Sequence, residues 1–133
     1  MTSFRLKIVT PDGLRYEGQA EDVVVRTTTG DMGILAGHIS TVAPLGMGRC
    51  TVVVDGTPRY GACIGGMISV MNGVVKVVAT TFEWEDEIDL DRAKAAEERA
   101  RAIMTNKDAT GTDIRMAEAR LKRALIRQNV ARG

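Results

Sequence analysis

Apolar and polar positions alternate near the start of the chain. In FRLKIV, Phe4, Leu6 and Ile8 fall on one side, the period-two pattern of a half-buried strand. Further segments (EDVVVRTTT, RCTVVVD, GMISVM and GVVKVVATTF) are rich in Val, Thr and Ile. Those residue types suit a pleated, half-buried surface. Between them fall PDG, Asp55-Gly56 and Asn72-Gly73. Asn, Asp and Gly tolerate the positive φ that two-residue hairpin turns require. The pattern predicts an antiparallel β-sandwich or flattened barrel over residues 1–84.

At Glu85 the period changes. Asp89 is well suited to cap a helix, its carboxylate accepting from the backbone N–H groups of Asp91 and Arg92. From Leu90 to about Lys107 there is no Gly or Pro. Ala93, Ala96, Ala100 and Ile103 make one stripe at helical spacing. NKDATGTD interrupts the pattern. Thr112 is positioned to cap a second helix with a stripe of Ile114, Ala117, Leu121, Ala124 and Leu125. A short loop between two amphipathic helices predicts an antiparallel hairpin over residues 85–133. Both stripes are alanine-rich and bury little apolar area. Alanine contributes far less than the roughly 1.5–3 kcal/mol of a buried Leu or Ile. A hairpin packed this way is weakly held and able to leave its resting place.

Length and composition agree with this division. The chain has 133 residues, 44% hydrophobic and 26% charged, which suits one globular domain or a small domain plus an appendage. No stretch approaches the roughly 20 apolar residues that cross a bilayer, and the N-terminus lacks a signal-peptide core. The expectation is a soluble intracellular protein. The net charge of +1 hides a local imbalance. From Ile114 onward, Arg115, Arg120, Lys122, Arg123, Arg127 and Arg132 face one acid, Glu118. Cys50 and Cys63 have neither a disulfide-framework count nor metal spacing, and read as buried free thiols.

Catalysis finds little support. His38 is the single histidine, and no nucleophile or second ligand stands beside it. GDMGILAGH is neither a G-x-G-x-x-G fingerprint nor a P-loop, and its glycines suit a tight turn in a loop. Glu83, Glu85 and Glu87 lack a neighbour that would tune one of them into a general acid. No catalytic residue and no metal ligand is assigned. The arginines of the tail differ. Arg92 and Arg99 project about 20° apart around the first helix, beside its alanine stripe. Arg120, Arg123 and Arg127 form a ridge on the second. Guanidinium groups bind phosphate bidentately. Spacing alone favours ordinary exposed arginines in i,i+4 pairs worth a few tenths of a kcal/mol. The helices carry no aromatics for base stacking, which argues against nucleic acid as the partner of the basic strip.

Taken together, VTPDG at 9–13, GDMGILAGHIS at 30–40, the paired glycines 65–66, EIDLDRAKAA at 87–96 and LKRALIR at 121–127 resemble the ε subunits of bacterial F-type ATP synthases. The second segment is similar to that family's G-E-L-G-I-L-P-G-H pattern. The likeness runs the length of the chain. It departs at Ala36, where the family usually has proline, and at Met67, where an aromatic often follows the paired glycines.

The resemblance implies a sandwich of about ten strands and a two-helix hairpin. It implies a non-catalytic stalk subunit on the cytoplasmic face of the bacterial membrane. Its partners would be the γ subunit, the c-subunit ring and the catalytic α/β head, with no direct insertion into the membrane. The segment carrying Asp31, Gly33, Ile34 and His38 would lie toward the ring. The hairpin would have two states: folded against the sandwich, or extended into the head, where it inhibits ATP hydrolysis. Some members bind ATP in the folded hairpin as a regulatory ligand, through a motif resembling I/L-D-x-x-R-A. IDLDRA matches it at Ile88, Asp89, Arg92 and Ala93. The other positions that resemble that site are Glu83, Arg99, Arg123 and Arg127. Glu83, Ile88, Asp89 and Ala93 would contact adenine or ribose, and the four arginines the phosphates. No cofactor is required. The complete motif reverses the reading from spacing alone. A free-standing ATP-sensing module without a rotary partner is the alternative.

Overall fold

Alternation becomes structure in β1 (Phe4–Thr10), where Phe4, Leu6 and Ile8 are buried. The computed structural model describes residues 2–132. It divides into a unit from Met1 to Trp84 and a second from Glu85 to Gly133. The first unit continues with β2 (Gly13–Ala20), β3 (Asp22–Thr27), β4 (Gly30–Leu35), β5 (Thr41–Val54), β6 (Thr57–Met71) and β7 (Val74–Trp84). They form one hydrogen-bonded sheet in the order β2-β1-β7-β6-β5-β3-β4.

Two features depart from expectation. The described residues hold seven strands, where about ten were expected. β5 and β6 are 14 and 15 residues long and bend rather than break. On either side of Gly46 and Gly65 the register runs Leu45 to Gly66 and Met47 to Ile64. Gly65 and Gly66 have φ of 72° and 117°. Paired glycines let one strand turn a corner that a chain with side chains would turn by ending. In addition, β1 and β7 are parallel, while the other pairs are antiparallel. A parallel pair needs a long crossover, and β2 through β6 supply it.

One core serves the whole sheet. Leu6 and Ile8 of β1 share a cluster with Val23 and Val25 of β3 and Ile34 of β4. In a flat sheet β1 and β3 would stand about 19 Å apart, so the sheet folds over its own core as a sandwich. Cys50 and Cys63 lie inside, free and buried as expected. Burial pushes both thiols up, Cys63 to about 12, so neither is a thiolate at neutral pH. Asp55-Gly56 and Asn72-Gly73 make the expected hairpin turns, each with positive φ at both positions.

The second unit begins with a 3-10 turn (Glu85–Glu87), followed by α1 (Leu90–Met104) and α2 (Gly111–Ala131). Asp89 caps α1, accepting from the backbone of Arg92 at 3.0 Å. α1 ends three residues before Lys107 because the Thr105 hydroxyl turns back onto the carbonyls of Arg101 and Ala102. Thr110, not Thr112, caps α2. Thr110 and Asp113 exchange reciprocal hydrogen bonds, both 3.0 Å, because a residue three positions on is what a capping box needs. The buried residues of the hairpin are Ala93 and Ala100 of α1 and Ala117, Ala124, Gln128 and Val130 of α2. Ile114 and Leu121 are half-buried, while Leu125, expected in the stripe, is exposed.

The capping box has a pH consequence. Its hydrogen bonds from Thr110, backbone first and hydroxyl second, hold the Asp113 carboxyl below its ordinary value. A depressed folded-state value adds stability above the ordinary carboxylate range and loses it as pH falls through the folded value. Helicity measured by circular dichroism should therefore fall on acidification below about pH 4. In Asp113→Ala it should already be lower at pH 7 and change less with acid. Equal acid profiles for the two proteins would remove the capping box as the cause.

Candidate functional site

The hairpin collects seven of the eight nucleotide-site residues read from the sequence in one unit. Ile88 and Asp89 stand at the entry to α1, Ile88 half-buried and Asp89 exposed with Oδ1 occupied by the cap. Arg92 and Arg99 lie exposed on α1, and Ala93 is buried at the seam. Arg123 and Arg127 are half-buried on α2. Glu83 belongs to the sandwich unit, half-buried in β7 and paired in register with Ala62.

Among the described residues, Arg92, Arg99 and Arg123 have no side-chain hydrogen bond or ion pair. This holds although Glu85, Asp86, Glu87 and Asp91 are their neighbours in sequence. Arg101, by contrast, is committed to Glu97 at 2.8 Å through an i,i+4 pair. The ordinary pairing expected from spacing is thus realised by Arg101 and not by these three. Guanidinium groups left with open donors beside a small-residue seam are able to take an anion bidentately.

A cavity of about 430 Å³ lies instead at the hairpin turn, lined by Ile103, Asn106, Asp108, Ala109, Asp113, Met116 and Arg120. It includes none of the eight nucleotide-site residues. Two carboxylates against one arginine make it ill suited to a polyphosphate, so the uncommitted arginines are the better guide to anion chemistry.

The structure of the segment expected to face the ring differs in part from the sequence reading. Gly30–Leu35 is strand β4 rather than loop, paired with β3. Ile34 is fully buried in the core and unavailable as a contact. Asp31 is paired with Arg26 at 2.8 Å, Gly33 is exposed, and His38 is half-buried with Nδ1 2.8 Å from the Ile39 carbonyl. The apolar side chains presented to solvent are Leu35, Ile39 and Val42, 62%, 80% and 57% exposed. The sequence reading missed them, although alternation carried the signal: with Ile34 inward, Leu35 must face out.

A second apolar surface crosses the outside of the sheet. Register places Pro44, Met67, Val78, Val9 and Leu14 in one row over five strands. Met67, Val78 and Leu14 are 43%, 43% and 54% exposed. The neighbouring row carries Lys76, Lys7 and Glu17. An apolar row with a polar, charged border has the form of a protein-docking surface.

Comparison with known proteins decides the family. Residues 3–85 match the beta-sandwich domain of the ATP synthase delta/epsilon chain, and residues 86–132 match its long alpha-helix domain. The chain belongs to the epsilon-subunit family of F-type ATP synthases. Relatives named ATP synthase epsilon chain include that of Bacillus velezensis, 44% identical over 98% of both chains. That of Bacillus pumilus is 41% identical over the same shares. Among solved structures, a chain of the Euglena gracilis mitochondrial ATP synthase superposes with a TM-score of 0.80 at 27% identity, covering 92% of this chain and 77% of that one. A chain of the central stalk/c-ring structure of the Tetrahymena thermophila mitochondrial ATP synthase shares the fold, with a TM-score of 0.63 at 13% identity, covering 96% of this chain and 95% of that one. As an epsilon subunit the chain is a non-catalytic component of the synthase. Among the described residues no helix is long and apolar enough to cross a membrane.

Proposed function

We propose that this epsilon subunit couples the rotor to the catalytic head and restrains ATP hydrolysis through its hairpin, whose closed state, the resting state of the free subunit, ATP stabilises further. The observation that carries the nucleotide reading is the set of three uncommitted arginines, Arg92, Arg99 and Arg123, joined by Arg127, along a seam of alanines. Their donors suit a polyphosphate, and the seam buries too little to lock the helices. ATP selects the closed hairpin by binding it better than the open one, and so relieves inhibition. The two apolar surfaces of the sandwich suit a subunit that must grip two neighbours. The outer row, with its charged border, takes the γ subunit. The Leu35–Ile39–Val42 end takes the c ring on the cytoplasmic side of the membrane.

The nucleotide reading is tested by calorimetric titration of ATP into the wild type and Arg92→Ala. The wild type should bind, and the variant about tenfold or more weaker, since a charge-assisted hydrogen bond contributes about 1.5–3 kcal/mol. No heat with the wild type, or equal affinities, would remove the clasp. Tight ATP binding by a protein that fails to assemble with a rotor would instead favour a free-standing nucleotide sensor.

A further inference from the structure

The seam of the hairpin contains one residue that its alanine stripe does not predict. Gln128 is 6% exposed, and among the described residues of the hairpin it is the one buried polar side chain. A buried amide without partners is costly, and this one has two on the opposite helix. Its Nε2 donates to the Glu97 carboxylate at 2.9 Å and, more weakly, to the Ala93 carbonyl at 3.5 Å. Both partners are acceptors, so the amide has a single sensible orientation, NH2 toward α1. Glu97 answers in its ionisation. The bond from Gln128 is the foremost cause, and the bond from Arg101 the next, of a carboxyl held below its ordinary value.

The position of this tie matters more than its strength. Alanine against alanine discriminates poorly between registers, because sliding one helix by a turn replaces one small contact with another. An amide that must find a carboxylate does discriminate, since every other register leaves it buried and unpaired. The tie also stands one residue from each half of the arginine set. Gln128 follows Arg127 directly, and Ala93 follows Arg92 directly.

We propose that Gln128 is the register-setting residue of the closed hairpin, holding Arg123 and Arg127 of α2 in place against Arg92 and Arg99 of α1. Its consequence for ATP rests on the clasp reading above. Its consequence for the hairpin does not. Gln128 is thus a positioning residue that acts through the arginines rather than on a ligand.

The test uses the full-length protein and separates the two consequences. Nitroxide labels are placed on cysteines introduced at the exposed positions Lys94 and Asn129. Cys50 and Cys63 are buried, with thiols too weakly acidic to compete for label. Without nucleotide, the spin–spin distance should be narrow in the otherwise unchanged protein and broad or displaced in Gln128→Leu. It should be narrow again in the exchanged pair Glu97→Gln with Gln128→Glu, which restores one amide facing one carboxylate. Gln128→Glu alone, which opposes two carboxylates, should be as broad as Gln128→Leu. Calorimetry of the same substitutions without labels should show ATP affinity falling about tenfold in Gln128→Leu and recovering in the exchanged pair.

A narrow, unshifted distance in Gln128→Leu would overturn the proposal, as would failure of the exchanged pair to restore it. If Gln128→Leu proves too unstable to label, the two glutamate variants decide the matter: broad alone and narrow as the pair supports it, equal widths overturn it. Absence of ATP binding by the wild type would sink the clasp while leaving the distances to judge the register.

Discussion

Gly66→Ala is expected to destabilise the sandwich by about 3–5 kcal/mol. Two penalties combine. Gly66 has φ of 117°, where an L residue is strained by roughly 1–3 kcal/mol. A Cβ there would also lie 2.9 Å from Ala79 Cα and fall on the Val78 carbonyl oxygen. Those neighbours are the backbone of the paired strand and cannot swing aside as a flexible side chain would. Overpacking of this kind costs about 1–3 kcal/mol. In a unit of this size each kcal/mol lowers the melting temperature by roughly 4–8 °C, so the drop should exceed about 12 °C. Gly56→Ala provides the control. Its φ is 75° with nothing within 4 Å of the added carbon, so it should cost only about 1–2 kcal/mol, from backbone conformation alone. Thermal unfolding followed through Trp84, the single tryptophan, reads both. A Gly66→Ala melting temperature within a few degrees of the control would refute the close-approach argument.

The same glycines explain why the strand count was misread while the fold was not. Alternation in β1 and β7 and the two Asx-Gly turns identified strands and hairpins directly, because each depends on residues adjacent in sequence. The bend at Gly46 and Gly65 depends on two strands meeting, and no local pattern states whether a glycine ends a strand or folds it. The parallel pairing of β1 with β7 is equally non-local. In the hairpin, the Asp89 cap and the alanine stripes were legible for the same local reason. The stripe was extended one residue too far by Leu125, whose apolar side chain faces solvent. Gln128 was passed over because a polar residue at a stripe position reads as the end of the stripe. Only its partners on α1, 31 and 35 residues away, reveal it as part of the seam. Arg92, Arg99 and Arg123 were legible as residue types, whereas their lack of side-chain partners among the described residues was not: EIDLDRAKAAEERAR offers acids to the two on α1, and geometry decides that Arg101 takes one. Ile34 shows the converse, since the resemblance selected a segment and the pleat decides which of its side chains face out.

Removal of the hairpin should have the larger effect on the assembled synthase. Added to synthase lacking this subunit, the full chain is expected to slow ATP hydrolysis several-fold, and a chain ending at Glu87 to leave it near the uninhibited rate. The reason lies in how the two units are built. The sandwich keeps its own core and ends on Trp84, whose indole donates to the Arg15 carbonyl at 3.2 Å. The ring stands edge-on to Phe82 at 4.8 Å and beneath the Arg59 guanidinium at 3.9 Å. None of these contacts uses a residue beyond the cut, so the shortened chain retains its fold and both apolar surfaces, and should still assemble. The hairpin buries four alanines, Gln128 and a single larger apolar side chain, Val130, so on the proposed reading the gap between its two states is only a few kcal/mol. At about 1.4 kcal/mol per tenfold change in population, a ligand that prefers one state by such an amount would be enough to cross that gap, which is what the proposal asks of ATP. Hydrolysis rates at saturating and at limiting ATP separate the two halves of the idea. With the full chain, inhibition should be deepest at limiting ATP and relieved as the clasp fills. With the shortened chain the ratio to subunit-free enzyme should stay near one throughout. Equal inhibition by both chains would assign the restraint to the sandwich and leave the hairpin without its regulatory role.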